Sequence, residues 1–300
     1  MYLLPQLPFR SRGRLMAEGL EFYKMSGAGN DFILGDNRQG SWSAYPLGSL
    51  AKGLCLQHLS VGADGMILVE HSKKAHLKLQ IFNADGSRSP MCGNGVRCAA
   101  RYALLKVIAG RQMTIEVGPD VLNAEILQGD FVRIDMPGRA ERPHRVDVLV
   151  NGRSLPVFIT HTGVPHAVVF IKDRQALDAL PVNSLGAILR RASEFGTAGT
   201  NVDFVALSPA PPFSIRTFER GVEGETLACG TGATAAAWVL HHLGRSGAET
   251  RLLTRSGKEL AVQVLDRPSP APQFALTGDA RLVCRATLSL EAIQEALRCG

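Results

Sequence analysis

The chain contains one short pattern twice, and this repeat constrains its fold more than any other feature of the sequence. Cys92 opens the stretch CGNGVRCAARYALL, and Cys229 opens the stretch CGTGATAAAWVLHHL. Each cysteine is followed by glycine, a polar residue, a second glycine and an apolar run that is typical of a helix. Because the two copies stand roughly half a chain apart, the repeat predicts two domains that are built alike.

Strand-like segments surround both copies. A segment that contains a phenylalanine, Phe82 in the first half and Phe218 in the second, comes shortly before each cysteine. We therefore predict an α/β (α+β) fold of two pseudo-symmetric mixed-sheet domains, each a curled β-sheet around a central helix, with the active site in the cleft between them. The predicted parts are a poorly packed N-terminal extension at 1–20, a first domain at 21–138 that the C-terminal strand and helix at 281–300 complete, and a second domain at 139–280.

The composition is that of a globular chain, and its charge raises the question of nucleic acid. The chain has 300 residues, 45% of them hydrophobic, and a formal net charge of +6. Part of the excess positive charge is local, because three arginines lie close together near the N-terminus: Arg10, Arg12 and Arg14. No basic stripe with interleaved aromatic residues follows them. We therefore expect no nucleic-acid partner, and we interpret the basic surface either as one that attracts small anionic molecules or as one without a role.

The sequence also bears on location. No apolar run reaches the length of a membrane-spanning helix, so we expect no membrane partner. The N-terminal stretch MYLLPQLPFRSRGRL places its apolar residues before its basic ones, which is the reverse of a signal peptide. We interpret it either as a native extension, a transit peptide being one form, or as a start-site artefact with initiation at Met16. A cytoplasmic protein is predicted.

Six cysteines occur, and their spacing favours thiol chemistry over metal binding. None forms Cys-x-x-Cys, so we predict no metal site. Six cysteines in a chain of this size do not make a disulfide scaffold, which fits a reducing compartment. The cysteines outside the repeated pattern are interpreted as packing residues: Cys55, Cys98, Cys284 and Cys299.

A thiol at a helix start suggests a specific chemistry. The helix N-terminus carries partial positive charge and unpaired N–H groups, so we expect it to lower the pKa of the thiol. The same N–H groups can bind a carboxylate, and here they belong to Gly93, Asn94, Gly230 and Thr231. Two such helices that face each other place a thiol on each side of the adjoining carbon. This predicts inversion of an α-carbon, in which one thiolate removes a proton and the opposite thiol delivers another.

Seven stretches of the chain resemble the diaminopimelate epimerase family of cofactor-independent, two-cysteine amino-acid epimerases. They are KMSGAGNDF, VGADG, IFNADGS, MCGNGVRCAARY, GVPHAVV, GTNVDFV and FERGVEGETLACGTGATAAA. The resemblance runs from about Phe22 to Leu288. It implies conversion of LL- to meso-diaminopimelate in the supply of lysine and peptidoglycan precursors, with no cofactor. Many members of the family pair as homodimers.

The resemblance also implies roles for individual residues. Cys92 and Cys229 would be the acid–base pair, with His166 supporting Cys92 and Glu219 supporting Cys229 as proton partners. Residues matching substrate-holding positions are Asn30, Asn83, Asn201, Glu219 and Arg220, together with the helix starts at Gly93, Asn94, Gly230 and Thr231. Arg220 suits the distal carboxylate of the substrate as a bidentate partner.

Val164 departs from the family pattern, because many members have asparagine before the Pro-His pair. Valine cannot donate a side-chain hydrogen bond, so the resemblance implies one contact fewer to the distal end of the substrate. Three alternatives therefore stay open. One is a two-cysteine racemase of another amino acid such as glutamate. The second is an isomerase of the wider superfamily without the thiol pair, which Cys92 and Cys229 disfavour. The third is a non-enzymatic binding protein, for nucleic acid in view of the net charge.

Overall fold

The computed structural model describes residues 19–137, 140–150, 152–267 and 271–300. Of the N-terminal extension predicted at 1–20, residues 1–18 lie outside the described residues. Leu20 already belongs to the first strand, where its side chain is buried. Within the described ranges, no helix combines the length and the apolar character that crossing a membrane requires.

The described residues of the first half form eight strands and two α-helices. The strands are β1 (Leu20–Gly27), β2 (Asn30–Asp36), β3 (Gly65–Glu70), β4 (Leu77–Asn83), β5 (Arg88–Ser89), β6 (Gln112–Val117), β7 (Asp120–Ile126) and β8 (Phe131–Met136). The helices are α1 (Leu47–Cys55) and α2 (Gly93–Leu105).

The second half repeats this plan and adds the C-terminal return. Its strands are β9 (His144–Val150), β10 (Arg153–His161), β11 (Pro165–Ile171), β12 (Asn201–Ala206), β13 (Phe213–Glu219), β14 (Gly224–Thr226), β15 (Glu249–Leu253), β16 (Glu259–Leu265) and β17 (Gln273–Asp279). Its helices are α3 (Arg174–Asp178), α4 (Val182–Leu189) and α5 (Gly230–His242), and the chain then forms β18 (Arg281–Leu288) and α6 (Leu290–Cys299).

The strand order is the same in the two halves. The first half pairs in the order β18-β1-β2-β3-β4-β6-β7-β8. The second pairs in the order β9-β10-β11-β12-β13-β15-β16-β17. Parallel pairs stand at equivalent places: β2–β3 and β4–β6 match β11–β12 and β13–β15. Strands β8 and β17 pair antiparallel, so one mixed sheet runs through both halves.

Each half curls its sheet around one helix that is rich in small side chains. Helix α2 contacts both β1 and β8, which lie far apart in the sheet order, and α5 contacts both β10 and β17. Alanine side chains let the strands approach the helix closely on several sides. The buried helix residues, which belong to one apolar core, include Val96, Ala99, Ala100, Ala103, Ala233, Ala235, Ala236 and Ala237. The predicted fold class, two mixed-sheet halves curled around central helices, is confirmed.

The C-terminal segment returns to the first half. Strand β18 runs antiparallel along β1, with Leu288 opposite Leu20. Helix α6 crosses α1 where Gly53 faces the carbonyl of Ala296, and a Cβ at Gly53 would lie only 1.9 Å from that oxygen. A second apolar cluster fills the space around this crossing and includes Phe22, Leu50, Leu54, Ile293 and Ala296.

Candidate active site

Both repeated cysteines are helix N-caps. Cys92 directly precedes α2 and Cys229 directly precedes α5, and both have extended backbone angles. Each sulfur accepts a hydrogen bond of 3.4 Å from the third residue of its helix, Gly95 N or Gly232 N. A side chain that caps a helix in this way lies over the first turn. The repeated pattern therefore fixes the position of each thiol relative to its helix.

The two helix starts meet at one side chain. A Cβ at Gly93 would lie 3.4 Å from Cδ2 of Leu276, and a Cβ at Gly230 would lie 3.0 Å from the same atom. Leu276 is fully buried on β17, the strand at the junction of the halves. Because neither glycine carries a side chain, both helix starts approach this methyl group. The halves thus bring the two thiol-capped helix ends together.

Burial outweighs the helix dipole at both thiols. Burial raises the pKa of Cys92, and the Glu219 carboxylate raises it further, whereas a helix N–H group and the Arg97 guanidinium lower it. The pKa of Cys229 lies well above its ordinary value because of burial, with Glu219 and Asp203 adding to the effect. The expected lowering of the thiol pKa is therefore wrong for the net effect, since removal from water disfavours a thiolate more than the helix favours it. Both residues rest as thiols at neutral pH.

Glu219 acts electrostatically on both thiols. It ends β13, and Oε1 accepts a hydrogen bond of 2.5 Å from the hydroxyl of Thr226 on the neighbouring β14. The Glu219 carboxylate raises the pKa of Cys92 as well as that of Cys229, and it accepts a hydrogen bond from the Cys229 thiol. Burial raises the pKa of Glu219 itself. A buried carboxyl group beside a thiol is suited to take up and return a proton.

His166 is bound to a buried carboxylate that its sequence context did not reveal. It lies on β11, and Nδ1 is 2.7 Å from Oδ2 of Asp203 on β12, with both side chains fully buried. The other ring nitrogen, Nε2, is also buried, and within the described residues it has no hydrogen-bond partner. His166 acts electrostatically on Glu219. In the described part of the chain no hydrogen bond joins it to Cys92, the thiol to which the resemblance assigns it.

A hydrogen-bond chain ties the start of α2 to both halves. Asn94 donates from Nδ2 to Oδ1 of Asn30 at 2.6 Å and, at 3.4 Å, to the carbonyl of Ala228 in the second half. Its Oδ1 accepts from Nη2 of Arg97 at 2.7 Å. Because a guanidinium only donates, Arg97 fixes the direction in which the Asn94 amide points. Ala228 directly precedes the second thiol, so Asn94 connects the two helix starts.

The second helix start is held from within its own half. Thr231 Oγ1 lies 3.4 Å from Sγ of Cys229. The hydroxyl of Thr162 donates to the Thr231 carbonyl at 3.0 Å. Thr231 therefore places a hydroxyl beside the thiol, whereas the side chain of Asn94, at the equivalent place in α2, forms hydrogen bonds to both halves.

Asn201 and Arg220 are joined to each other. Oδ1 of Asn201 accepts from the backbone N–H of Arg220 at 2.9 Å, and Nδ2 donates to the carbonyl of Pro165 at 3.1 Å. The Arg220 guanidinium donates to the carbonyl of Gly199 at 3.3 Å. An arginine has five N–H donors, so this bond uses only part of its capacity.

Equivalent strand ends carry predicted site residues in both halves. Strands β4 and β13 are equivalent, and they end at Asn83 and Glu219 respectively. Strands β2 and β11 are also equivalent: β2 begins at Asn30, and β11 begins at Pro165, one residue before His166. Asn83 is exposed and donates from Nδ2 to a hydroxyl within its own turn at 2.9 Å. Because equivalent positions hold different side chains, the two halves offer different groups to a ligand.

Comparison with known proteins gives the chain its family. The family model for diaminopimelate epimerase matches residues 22–141 and 158–283. The chain belongs to the diaminopimelate epimerase family. It is 39% identical over 250 residues to the diaminopimelate epimerase of a Hydrogenobaculum species, which covers 80% of this chain and 90% of that protein. It is also 39% identical over 272 residues to that of Chlorobaculum tepidum, at 89% and 100% coverage.

Solved structures of more distant proteins share the family fold. A phenazine biosynthesis protein of the PhzF family from Bacillus anthracis superposes with a TM-score of 0.70 at 15% identity, covering 91% of this chain and 100% of that one. A hydroxyproline epimerase from Agrobacterium vitis superposes with a TM-score of 0.67 at 17% identity, covering 92% of each chain. At these identities the likeness concerns the fold.

Four cysteines of this diaminopimelate epimerase family member lie outside the thiol pair. Cys55 and Cys98 are buried, and burial raises the pKa of each to about 12, which agrees with their interpretation as packing residues. Cys284 and Cys299 are exposed, so that interpretation is wrong for them.

Two residues of the site escaped the sequence analysis. Arg97 is fully buried although it carries a charge, and so is Asp203. Both interrupt apolar runs, in NGVRCAA and NVDFV. A charged residue within a buried strand or helix is uncommon unless it is paired or functional, and that signal was available in the sequence.

Proposed function

We propose that the chain converts LL-2,6-diaminopimelate to meso-diaminopimelate by proton transfer at one α-carbon. The observation that carries the proposal is the convergence of two thiol-capped helix starts on Leu276, with Glu219 coupled to both thiols. Membership of the diaminopimelate epimerase family supports the choice of substrate.

The proposed reaction uses the two helix starts as one anion site. The α-carboxylate accepts hydrogen bonds from the N–H groups of Gly93, Asn94, Gly230 and Thr231. One thiolate removes the α-proton and becomes a thiol. The electron pair left on carbon spreads into the carboxylate, where the helix ends stabilise it. The opposite thiol then delivers its proton to the other face of the carbon, which inverts the centre.

The raised pKa of each thiol means that each needs a proton partner. We assign Glu219 to Cys229, an assignment that the hydrogen bond from the thiol supports. We assign His166 to Cys92 from the family resemblance. Transfer of the thiol proton to these partners produces the thiolate only when substrate is in place. This arrangement reconciles a raised thiol pKa with acid–base work near neutral pH.

The distal end of the substrate carries its own ammonium and carboxylate. Arg220 offers a fork of donors to that carboxylate. The backbone N–H of Arg220 donates a hydrogen bond to the side chain of Asn201. Asn30 and Asn83 offer amides from the first half. Val164 lies two residues before His166 and offers no side-chain donor. Recognition of the distal end is therefore proposed to rest on Arg220 and the asparagines.

The proposal includes the setting of the enzyme. Two thiols with their partners account for both proton transfers, so neither pyridoxal phosphate nor a metal is invoked. We propose a cytoplasmic homodimer. The exposed apolar side chains Leu282 and Val283 on β18, at 44% and 60% exposure, favour self-association. Sedimentation equilibrium would test the dimer.

The proposed function is tested by incubating the reduced protein with LL-diaminopimelate and separating the stereoisomers of the product. We expect meso-diaminopimelate to accumulate to equilibrium. A protein whose active-site thiols are confirmed reduced and that forms no meso product would contradict the proposal.

Racemisation of another amino acid, such as glutamate, is the second candidate, and Val164 is the observation that favours it. The same assay with glutamate in place of LL-diaminopimelate would separate the two candidates. Turnover of glutamate at a higher kcat/KM than that of LL-diaminopimelate would replace the first proposal with the second.

A further inference from the structure

We propose that Asp203 is a positioning residue of this active site, which holds His166 in the tautomer that carries its hydrogen on Nδ1 and so leaves Nε2 as a proton acceptor. The inference rests on the proposed function and adds to it a residue that acts through His166.

The hydrogen bonds around Asp203 define its orientation. Thr217 donates from its hydroxyl to Oδ1 at 2.8 Å, and Nδ1 of His166 lies 2.7 Å from Oδ2. A carboxylate only accepts, so the hydrogen of the second bond belongs to Nδ1. The side chains of His166 and Asp203 are fully buried. Water therefore does not compete for the bond, and the tautomer is fixed by the protein.

The fixed tautomer leaves a lone pair on a buried atom. Nε2 of His166 has no hydrogen-bond partner within the described residues. A buried polar atom without a partner costs free energy, so a donor that forms a hydrogen bond to Nε2 stabilises the site. Under the assignment made above, that donor is the S–H group of Cys92.

The proton transfer that follows is balanced within the site. The S–H bond breaks, its electron pair stays on sulfur, and the proton forms a bond to Nε2. The thiol becomes a thiolate and the imidazole becomes an imidazolium. The negative charge of Asp203 stabilises that imidazolium, as a buried carboxylate does in a Ser-His-Asp triad. Return of the proton restores both groups.

The position of Asp203 depends on a glycine of α5. A Cβ at position 232 would lie 2.3 Å from Oδ1 of Asp203, so only glycine fits there. Gly232 belongs to the first turn of α5, whose N-cap is Cys229. The carboxylate thus lies directly against the start of the second thiol-capped helix.

The first test reads the tautomer in the intact wild-type protein. Nitrogen-15 NMR of protein labelled at histidine, with His166→Gln to assign the signal, distinguishes the protonated from the unprotonated ring nitrogen. We expect His166 to carry hydrogen on Nδ1 and a bare Nε2. A His166 that carries hydrogen on Nε2, whether alone or on both ring nitrogens, overturns the proposal. This readout stands even if LL-diaminopimelate is not the substrate, so it separates failure of the inference from failure of the proposed function.

The second test compares Asp203→Asn with Thr217→Val. The asparagine removes the charge that stabilises the imidazolium, whereas the valine removes only the other hydrogen bond of Asp203. We expect Asp203→Asn to lower kcat on the substrate that wild type turns over by about a hundredfold or more, with KM within about threefold. Thr217→Val is expected to keep kcat within about fivefold. A kcat for Asp203→Asn close to that of wild type, or equal losses in the two variants, overturns the proposal. If Asp203→Asn does not fold, the wild-type tautomer decides.

Discussion

Glu219 is the residue at which stability and activity conflict most directly. Burial raises the pKa of its carboxyl above the ordinary value of 4.5. In the unfolded chain the group ionises near that ordinary value, and in the folded chain it ionises at a higher pH. The folded state therefore loses stability as the pH rises through the interval between the two values. A neutral side chain of the same shape avoids this loss.

Glu219→Gln is accordingly expected to melt at a higher temperature than wild type at pH 8, with a difference that shrinks towards pH 4. The same substitution removes the proposed proton partner of Cys229, so we expect epimerase activity to fall by about a hundredfold or more. Thermal unfolding at the two pH values, followed by circular dichroism, measures the first effect. A change in melting temperature that is equal at both pH values would contradict the raised pKa.

The thiols provide a second prediction at this scale, because burial and the helix dipole act on them in opposite directions. With the pKa of both active-site thiols raised, little thiolate is present at pH 7.5. We expect iodoacetamide to modify the exposed Cys284 and Cys299 at least about tenfold faster than Cys92 and Cys229 in ligand-free enzyme. Peptide mass spectrometry of timed samples measures the four rates. Preferential modification of Cys92 or Cys229 at pH 7.5 would show that the helix dipole dominates instead.

At the scale of elements, the crossing of α1 and α6 ties the C-terminus to the first half. It depends on Gly53, because any Cβ there would collide with the carbonyl of Ala296. We expect Gly53→Ala to lower the free energy of unfolding by about 2 kcal/mol, the usual cost of inserting a methyl group into a packed contact. Gly110→Ala is the matched control, since no atom lies within 4 Å of the position of its Cβ. Urea denaturation of the three proteins measures the difference, and equal midpoints for the two variants would be the contrary result.

The elements also show what local sequence determines. The starts of α2 and α5 follow from signals within a few residues, namely a capping side chain, flanking glycines and an apolar helical run. The net pKa of the thiols does not follow from local sequence, because it depends on burial by strands that are distant in sequence. The meeting of Gly93 and Gly230 at Leu276 does not follow from local sequence either, because Leu276 belongs to the distant strand β17. Asp203 and Arg97 were visible as charges in apolar runs, but their partners were not.

At the scale of the whole molecule, the proposed active site exists only because the two halves face each other. Each half contributes one thiol, and the Asn94 amide spans the junction to Ala228. We expect prolonged oxidation without ligand to join Cys92 to Cys229, slowly because the pKa of both thiols is raised, and to abolish activity that thiol reductants then restore. The double variant Cys284→Ser/Cys299→Ser serves as control, because it lacks the exposed thiols yet should respond identically. Full activity after oxidation, with a mass that shows both active-site thiols free, would speak against this arrangement.

The central claim is that two thiols on opposite faces of one carbon exchange protons with it. The most direct measurement is the conversion of LL-diaminopimelate in heavy water under reductant, by wild type, Cys92→Ala and Cys229→Ala, with deuterium at the α-carbon read by mass spectrometry or NMR. The two-thiol account predicts meso product that carries solvent deuterium at the inverted carbon, formed by wild type and by neither variant. Meso product that retains the original hydrogen, or that either variant still forms at the wild-type rate, would contradict it.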